Sequence, residues 1–541
     1  MEKRVAIIGG GISGLLACKY TIAKGFHPIV FEAQNQIGGV WTQTLESTKL
    51  QVANQIYQFS DFPWPSSADM IPHNTQVLEY IQNYAQHFGL LPYIKLNSKV
   101  RSIDYEGESQ EEMEFWEFWG GNGKAFGSKG KWHLQVQDTI QGSTKEYTTE
   151  FVIICIGRFS GLPNIPEFPP GHGPEVFSGK VLHSMDYSAL GNATAAEFIK
   201  GKKIAVIGSG KSAVDIAYEC ANANGKLYLA YTYSGHKKDN PCTVIQRTIH
   251  WMLPDLQPWG VSIAYFCFTR FAELMVHKPG EGLLSSILAT LLSPLHWVMS
   301  KFVESYARWK LPLKKYNMIP EESFVKEASS CQILFLQDNF YDKVEDGSIV
   351  FKKSKSFSFC KEGLILDGEN DPIKLDIVIF ATGYKGDEKL RNMFADPTFQ
   401  NGIMGSPTSV VPLYSNAVFV SLQTNDPSPN STTSSNRIFG VSFNVHTFEM
   451  RCMWLSFFLD QTFQLPSVKE MEKDIKTWEK YMKQYAGNSK FRRACVGAVS
   501  IWYNDQLCKD VGCNPRRKKG FFSDLFEPYG SEDYRELASE I

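Results

Sequence analysis

Two short stretches, AIIGGGISG at residues 6–14 and AVIGSGKSA at 205–213, carry the same punctuation: an apolar strand, a glycine-rich turn, and the small residues that open a helix. Such a turn forces strand and helix together, because its first glycine permits the tight turn and its third position admits no large side chain. Two of them, about two hundred residues apart, demand two βαβ units, and 541 residues exceed what one core carries. The strand–helix alternation around them predicts an α/β fold with two Rossmann-like dinucleotide-binding domains. Residues 166–330 are expected to form the second domain, with a helical insertion. That domain interrupts a first one built from 1–165 and 331–541, and the Pro/Gly-rich crossing SGLPNIPEFPPGHGPE (160–175) marks the boundary.

In the first turn Gly9, Gly10 and Gly11 let the main chain approach a pyrophosphate, and Gly14 lets helix and strand pack closely. Ile12 and Ser13 begin a helix whose free N–H groups face the phosphates. Glu32 closes the next strand, 18 residues after Gly14. A carboxylate there accepts hydrogen bonds from ribose hydroxyls and repels a 2′-phosphate, which selects FAD or NAD over NADP. In GGVW (38–41), Gly39 lets the main chain pass a flat ligand and Trp41 is placed to shield it, plain core packing being the alternative.

The second turn reads Gly208, Ser209, Gly210, Lys211, Ser212, Ala213, in G-x-G-x-x-A form. No acid closes the strand that follows. KLYLAYTY (226–233) leads to Lys237 and Lys238, whereas CTVIQRT (242–248) contains Arg247, and spacing alone favours the first strand. A cation at either place pairs with a 2′-phosphate, so NADPH is expected here. FAD in the first domain and NADPH in the second imply hydride transfer between them. Cys18 and Cys155 stand apart in the first domain. A disulfide reductase would need a close pair, so O2 becomes the expected oxidant of the reduced flavin.

A net charge of -2 gives no footprint for nucleic acid, and no His/Cys spacing calls for a metal. The 11 cysteines include no C-x-x-C pair and are expected to be reduced thiols. The N-terminal apolar run breaks at three glycines and is not read as a signal peptide. LLSSILATLLSPLHWVMS (283–300) lacks charge but contains Pro294 and His296. A buried or surface-lying helix is expected rather than a spanning one. Peripheral membrane contact follows if it lies on the surface, giving a cytoplasmic protein or one peripheral at the endoplasmic reticulum.

FSGKVLHSMDY (177–187) reads F-x-G-x-x-x-H-x-x-x-Y, and FATGY (380–384) follows an apolar strand. With FSDFPWP (59–65), HTFEMRCMWL (446–455) and PYGSEDY (528–534), these motifs resemble the flavin-containing monooxygenases and the related Baeyer–Villiger enzymes along nearly the whole chain. The resemblance is nearest in look to the plant branch whose pathogen-inducible member N-hydroxylates pipecolic acid in defence. It implies an FAD- and NADPH-dependent enzyme that uses O2, through a C4a-hydroperoxyflavin, to oxygenate a nucleophilic amine or thioether. N-hydroxylation of a cyclic amino acid is the finer implication. An auxin-forming oxidative decarboxylase and a non-catalytic relative are the alternatives.

The same resemblance places Thr382 and Gly383 at a cofactor, and sets Phe177 and His183 beside NADP on the interdomain linker. It puts Gln51, with Asn54 nearby, where many animal and fungal members carry an Asn beside the reacting oxygen. It assigns the 2′-phosphate to Arg247, which makes residues 226–240 an insertion, and finds little counterpart for 416–437.

Overall fold

The computed structural model describes residues 3–107, 125, 130–157, 159–225, 240–397, 400, 413–414, 418–419, 445–486 and 496–537. Lys237, Lys238, the candidate strand 226–233 and most of 416–437 lie outside the described residues.

The apolar run at 4–8 forms strand β1 (Arg4–Ile8), buried at every position but the first, and leads through the glycine turn into α1 (Ile12–Ala23). Strand β2 (His27–Phe31), the short β3 (Ile94–Lys95) and β4 (Phe151–Ile154) complete a parallel sheet in the order β3-β2-β1-β4. A three-stranded antiparallel sheet, 98–106, 131–138 and 144–149, is inserted before β4. The C-terminal part returns to this unit, where Val445, Trp454, Ile501 and Tyr503 share one core with Leu15, Val30 and Tyr84.

The second unit is a five-stranded parallel sheet. Its strands are β5 (Lys180–His183), β6 (Ile204–Ile207), β7 (Cys242–Gln246), β8 (Ile349–Lys353) and β9 (Ile377–Phe380), in the order β8-β7-β6-β9-β5. Helix α2 (Lys211–Gly225) follows β6. All four positions of β6 and of β9 are buried, as a sheet covered on both faces requires. Two sequence expectations change here. The strand beside the second fingerprint is β7, which leads directly into Arg247. The expected boundary at 330/331 also fails at sheet level, because β8 and β9 pair with β7 and β6 and carry the second unit to Phe380. Parallel partners are recruited through space, so no local signal marks that boundary.

Polar side chains clasp the two units together. Asp215, 1% exposed on α2, accepts from Thr48 Oγ1 at 2.7 Å, Lys211 Nζ at 2.7 Å and Gln337 Nε2 at 3.1 Å. Four residues along the same helix, Glu219 accepts from the Ser47 hydroxyl and from Tyr187 OH. Nine cysteines among the described residues are free thiols, but Cys331 is disulfide-bonded, which corrects the expectation of reduced thiols throughout.

The 28-residue helix α3 (Leu283–Lys310) lies on the surface. Val303 and Ala307 on its inner face are buried, whereas Leu284 is 83% exposed and Leu291 70%. It is the one helix among the described residues long and apolar enough to cross a membrane.

A buried carboxylate joins this helical region to the first unit. Glu273 accepts from the main-chain N–H groups of Ile501 and Trp502 at 2.7 and 2.8 Å, so it caps the start of helix α4 (Ser500–Asp510). Burial raises its pKa from 4.5 to about 7, against those two N–H groups and Lys278. A carboxyl raised on folding contributes stability that is full below its unfolded pKa and falls as pH rises toward the folded value. Glu273→Gln should therefore flatten the pH dependence of unfolding between about 4.5 and about 7, removing a slope worth about 3 kcal/mol. Urea melts of both proteins across that range check this, and parallel curves would contradict it.

Candidate cofactor and substrate site

The two glycine turns repeat one steric solution. Gly9 has φ +106, and a Cβ there would stand 2.5 Å from the carbonyl oxygen of Cys155, just past β4. Gly208 has φ +152, and its Cβ would meet the carbonyl oxygen of Ala381, just past β9, at 2.4 Å. Both backbones sit where side chains are excluded, with the strand of the returning chain pressed against the turn. Gly9 N donates to Phe31 O at 2.8 Å, and Gly208 N donates to Ile245 O at 2.9 Å. Gly14 closes the first helix against the turn, since a Cβ would fall 1.8 Å from Gly9 O. Gly11 faces Gly39 (φ +60), a Cβ on Gly11 coming 3.3 Å from the Gly39 Cα, so two main chains run side by side. Ile12 and Ser13 open α1, whose N-cap Gly11 offers no side-chain cap, which leaves its first N–H groups for a ligand.

The equivalence of Phe31 and Ile245 identifies what each unit places beside its turn. After Phe31 comes Glu32, 7% exposed, accepting from Gly10 N at 2.6 Å and Gln34 N at 2.8 Å. After Ile245 comes Gln246, 2% exposed, its Oε1 without a partner among the described residues, and then the exposed Arg247. A buried carboxylate in the first unit suits ribose hydroxyls. A neutral amide followed by a guanidinium suits a 2′-phosphate. Sequence spacing found Glu32 and Arg247 but missed Gln246, because the correspondence depends on β-register. It also missed Lys389, whose Nζ donates to Ile156 O at 2.8 Å and Ser160 Oγ at 3.1 Å. Burial lowers the pKa of that lysine to about 8, with Glu32 pulling it back upward.

In the second turn Gly210 faces open space, Ser209 is partly exposed, Ser212 is exposed and Ala213 is buried under the sheet. Lys211 is engaged elsewhere, its Nζ donating to Asp215 and to Phe335 O at 3.1 Å. Of the side chains at this turn, that of Lys211 is thus committed within the protein.

The linker motif resolves into packing roles. A Cβ on Gly179 would meet Asp376 O at 2.4 Å, and Phe177 packs on Phe359. His183 is 2% exposed, its Nδ1 accepting from Met185 N at 3.2 Å and its ring edge-on to Tyr384 at 5.3 Å. Burial lowers its pKa, opposed by the Gly383 main chain and Asp186. Thr382 donates its hydroxyl to Asn164 O, and Asn164 N donates to Gly383 O at 2.9 Å, so that turn is stitched to the crossing segment.

Trp41 leans on the first core, and its indole N–H donates to Tyr57 OH at 2.8 Å. Gln51 has a buried Oε1 without a partner among the described residues. With Asn54 it lines a cavity of about 520 Å³ that His296, Met299, Ser300 and Val303 of α3 also line. The structure thus brings Gly9–Gly14, Glu32 and Gly39 together, gathers Gly208–Ala213 and Arg247 on the second sheet, and sets Gln51 on the cavity between the two units and the helical region.

The comparisons with known proteins agree with this geometry. The flavin-binding monooxygenase-like family matches residues 2–525. A probable flavin-containing monooxygenase 1 of Arabidopsis thaliana is 39% identical over 540 residues, covering 99% of this chain and 96% of the relative. The dimethylaniline monooxygenase [N-oxide-forming] 2 of Oryctolagus cuniculus is 25% identical, covering 99% of this chain and 89% of the relative. A solved oxidized steroid monooxygenase bound to NADP shares the fold with a TM-score of 0.60 at 16% identity, covering 94% of this chain and 97% of its own. With two dinucleotide seats built on equivalent turns and a family match across the chain, this protein belongs to the flavin-binding monooxygenase-like family and is an NADPH-dependent flavin monooxygenase that uses FAD.

Proposed function

We propose that the enzyme oxygenates a nucleophilic nitrogen or sulfur of a small molecule. One NADPH, one proton and one O2 are consumed, one oxygen atom enters the substrate, and the other leaves as water. The observation that carries this reading is the asymmetry between equivalent turns, carboxylate Glu32 at one and Gln246 with Arg247 at the other. FAD, when bound, supplies the two-electron and oxygen chemistry. The chain's own work is positional. The turn N–H groups hold pyrophosphates, Glu32 holds the ribose, Arg247 holds the 2′-phosphate, and the apolar cavity beside Gln51 keeps water from the reacting centre. The N-oxide-forming activity in the rabbit relative's name supports nitrogen as an acceptor. A cyclic amino acid substrate, with a place in plant defence, rests on resemblance to the pipecolate branch.

Purified enzyme should transfer label from 18O2 to an amine or thioether with one NADPH oxidised per product. NADPH oxidation that yields only hydrogen peroxide with every nucleophile would overturn the reading. Arg247→Ala should raise KM for NADPH about 10- to 100-fold while leaving KM for NADH unchanged, as loss of one charge-assisted phosphate contact requires. Steady-state kinetics with both nucleotides measure this.

We further propose that the protein sits in the cytoplasm and touches a membrane peripherally, at the endoplasmic reticulum, through the outer face of α3. Leu283, Leu284 and Leu291 project there, and Trp259 stacks on Trp309 with both rings exposed, an arrangement suited to a bilayer interface. Flotation with liposomes should recover the enzyme, and Leu284→Glu with Leu291→Glu should release it while NADPH-dependent flavin reduction persists.

A further inference from the structure

A lysine from the returning chain reaches the edge of the first sheet where the glycine turn lies. After β9 the chain forms a short helix, Gly386–Arg391, and packs Leu390, Met393 and Phe394 into a core with Ala6, Ile8 and Phe31. Lys389 of that helix is half-buried, and its Nζ donates to Ile156 O at 2.8 Å and Ser160 Oγ at 3.1 Å. Ile156 follows Cys155, whose carbonyl oxygen presses on Gly9, and a Cβ on Gly9 would stand 3.4 Å from the Ile156 Cα. Gly161 passes along the lysine stem, where a Cβ would come 3.4 Å from Lys389 Cε. The ammonium is therefore held at the carboxyl edge of the β3-β2-β1-β4 sheet, the edge over which a dinucleotide lies in this fold. Among the described residues, the charged groups that face it are Glu32, just past β2, and Lys99 on the antiparallel sheet.

Two neutral oxygens are a poor setting for a half-buried cation. Burial lowers its pKa to about 8, Glu32 acting against this and Lys99 with it. The Glu32 oxygens themselves accept from Gly10 N and Gln34 N. An ammonium carries three N–H groups, and Ile156 and Ser160 engage two. An anion brought to this edge accepts the third and offsets the cost of burying the charge. We infer that Lys389 belongs to the FAD seat and that its ammonium binds the negatively charged ADP half of the cofactor, beside Glu32 and the turn N–H groups. The glycine fingerprint does not contain this residue, because it arrives on the chain that returns from the second unit. The inference rests on FAD lying at the first turn and is independent of which nucleophile is oxygenated.

The test uses the full-length holoenzyme, with FAD release on dilution read by recovered flavin fluorescence. Lys389→Met removes the charge and keeps the stem. It should raise the FAD dissociation constant about 10- to 100-fold, the loss of one charge-assisted contact. Lys389→Arg should stay within about threefold of the wild type. The salt dependence of FAD binding should shrink in Lys389→Met, because a screened charge pair has gone. The wild type carries its own check. FAD binds the protonated lysine, so affinity should be level up to about pH 7.5 and weaken above it, whereas Lys389→Met should stay level. A Met variant that holds FAD as tightly as the wild type, Met and Arg variants that lose it equally, or a wild-type affinity level to about pH 9.5 would overturn the inference. Failure of the seat itself looks different. Glu32→Ala would then retain FAD like the wild type, whereas a false role for Lys389 alone leaves Glu32→Ala depleted of FAD and Lys389→Met replete.

Discussion

The architecture depends on a contact that occurs twice: a glycine α-carbon pressed against the carbonyl of a returning strand. Gly9 meets Cys155 and Gly208 meets Ala381, each at a distance that excludes even a methyl group. In each unit the contact brings three things to one point, namely the end of the fingerprint strand, the start of the helix and the end of the adjacent crossing strand. The helix N-terminus is thereby fixed beside the sheet's carboxyl edge, where its unpaired N–H groups make an anion site. Two units built alike then differ in a few side chains. Glu32 in one, and Gln246 with Arg247 in the other, give the two turns opposite charge.

Hydride transfer between two cofactors also requires the units to hold a fixed relation. Asp215 and Glu219, one helical turn apart on α2, accept hydroxyls from Thr48 and Ser47 of the first unit. Lys211 holds the Asp215 carboxylate from within the second unit, so a residue of the fingerprint helix supports the clasp indirectly. The motif Phe177, Gly179, His183 and Tyr187 performs the matching task on the linker side, since each of its members packs or caps and Tyr187 reaches Glu219. The catalytic demand on the protein is positional, and most of its polar groups are committed to holding position.

What the sequence made legible was local. Strand, turn and helix around Gly9 and Gly208 follow from adjacent residues, and Glu32 from a fixed count along the chain. The membership of β8 and β9 in the second sheet was not legible, because parallel partners arrive from far away and leave no mark at 349–353 or 377–380. Gln246 became the counterpart of Glu32 only through the register that pairs Ile207 with Ile245. Gln51 was reachable through resemblance, but the cavity it lines draws on segments between residues 51 and 498 and appears only when they are assembled. The disulfide at Cys331 and the half-buried Lys389 are likewise products of folding rather than of spacing.

The central claim is that the two turns hold different cofactors and that electrons pass from the second to the first. Gly208→Ala tests it most directly, because a methyl group there would stand 2.4 Å from Ala381 O. Under anaerobic conditions the purified variant should retain its flavin absorbance, be bleached by dithionite, and resist bleaching by NADPH that reduces the wild type fully. Loss of FAD together with NADPH reduction, or reduction by NADPH at the wild-type rate, would contradict separate seats joined by hydride transfer.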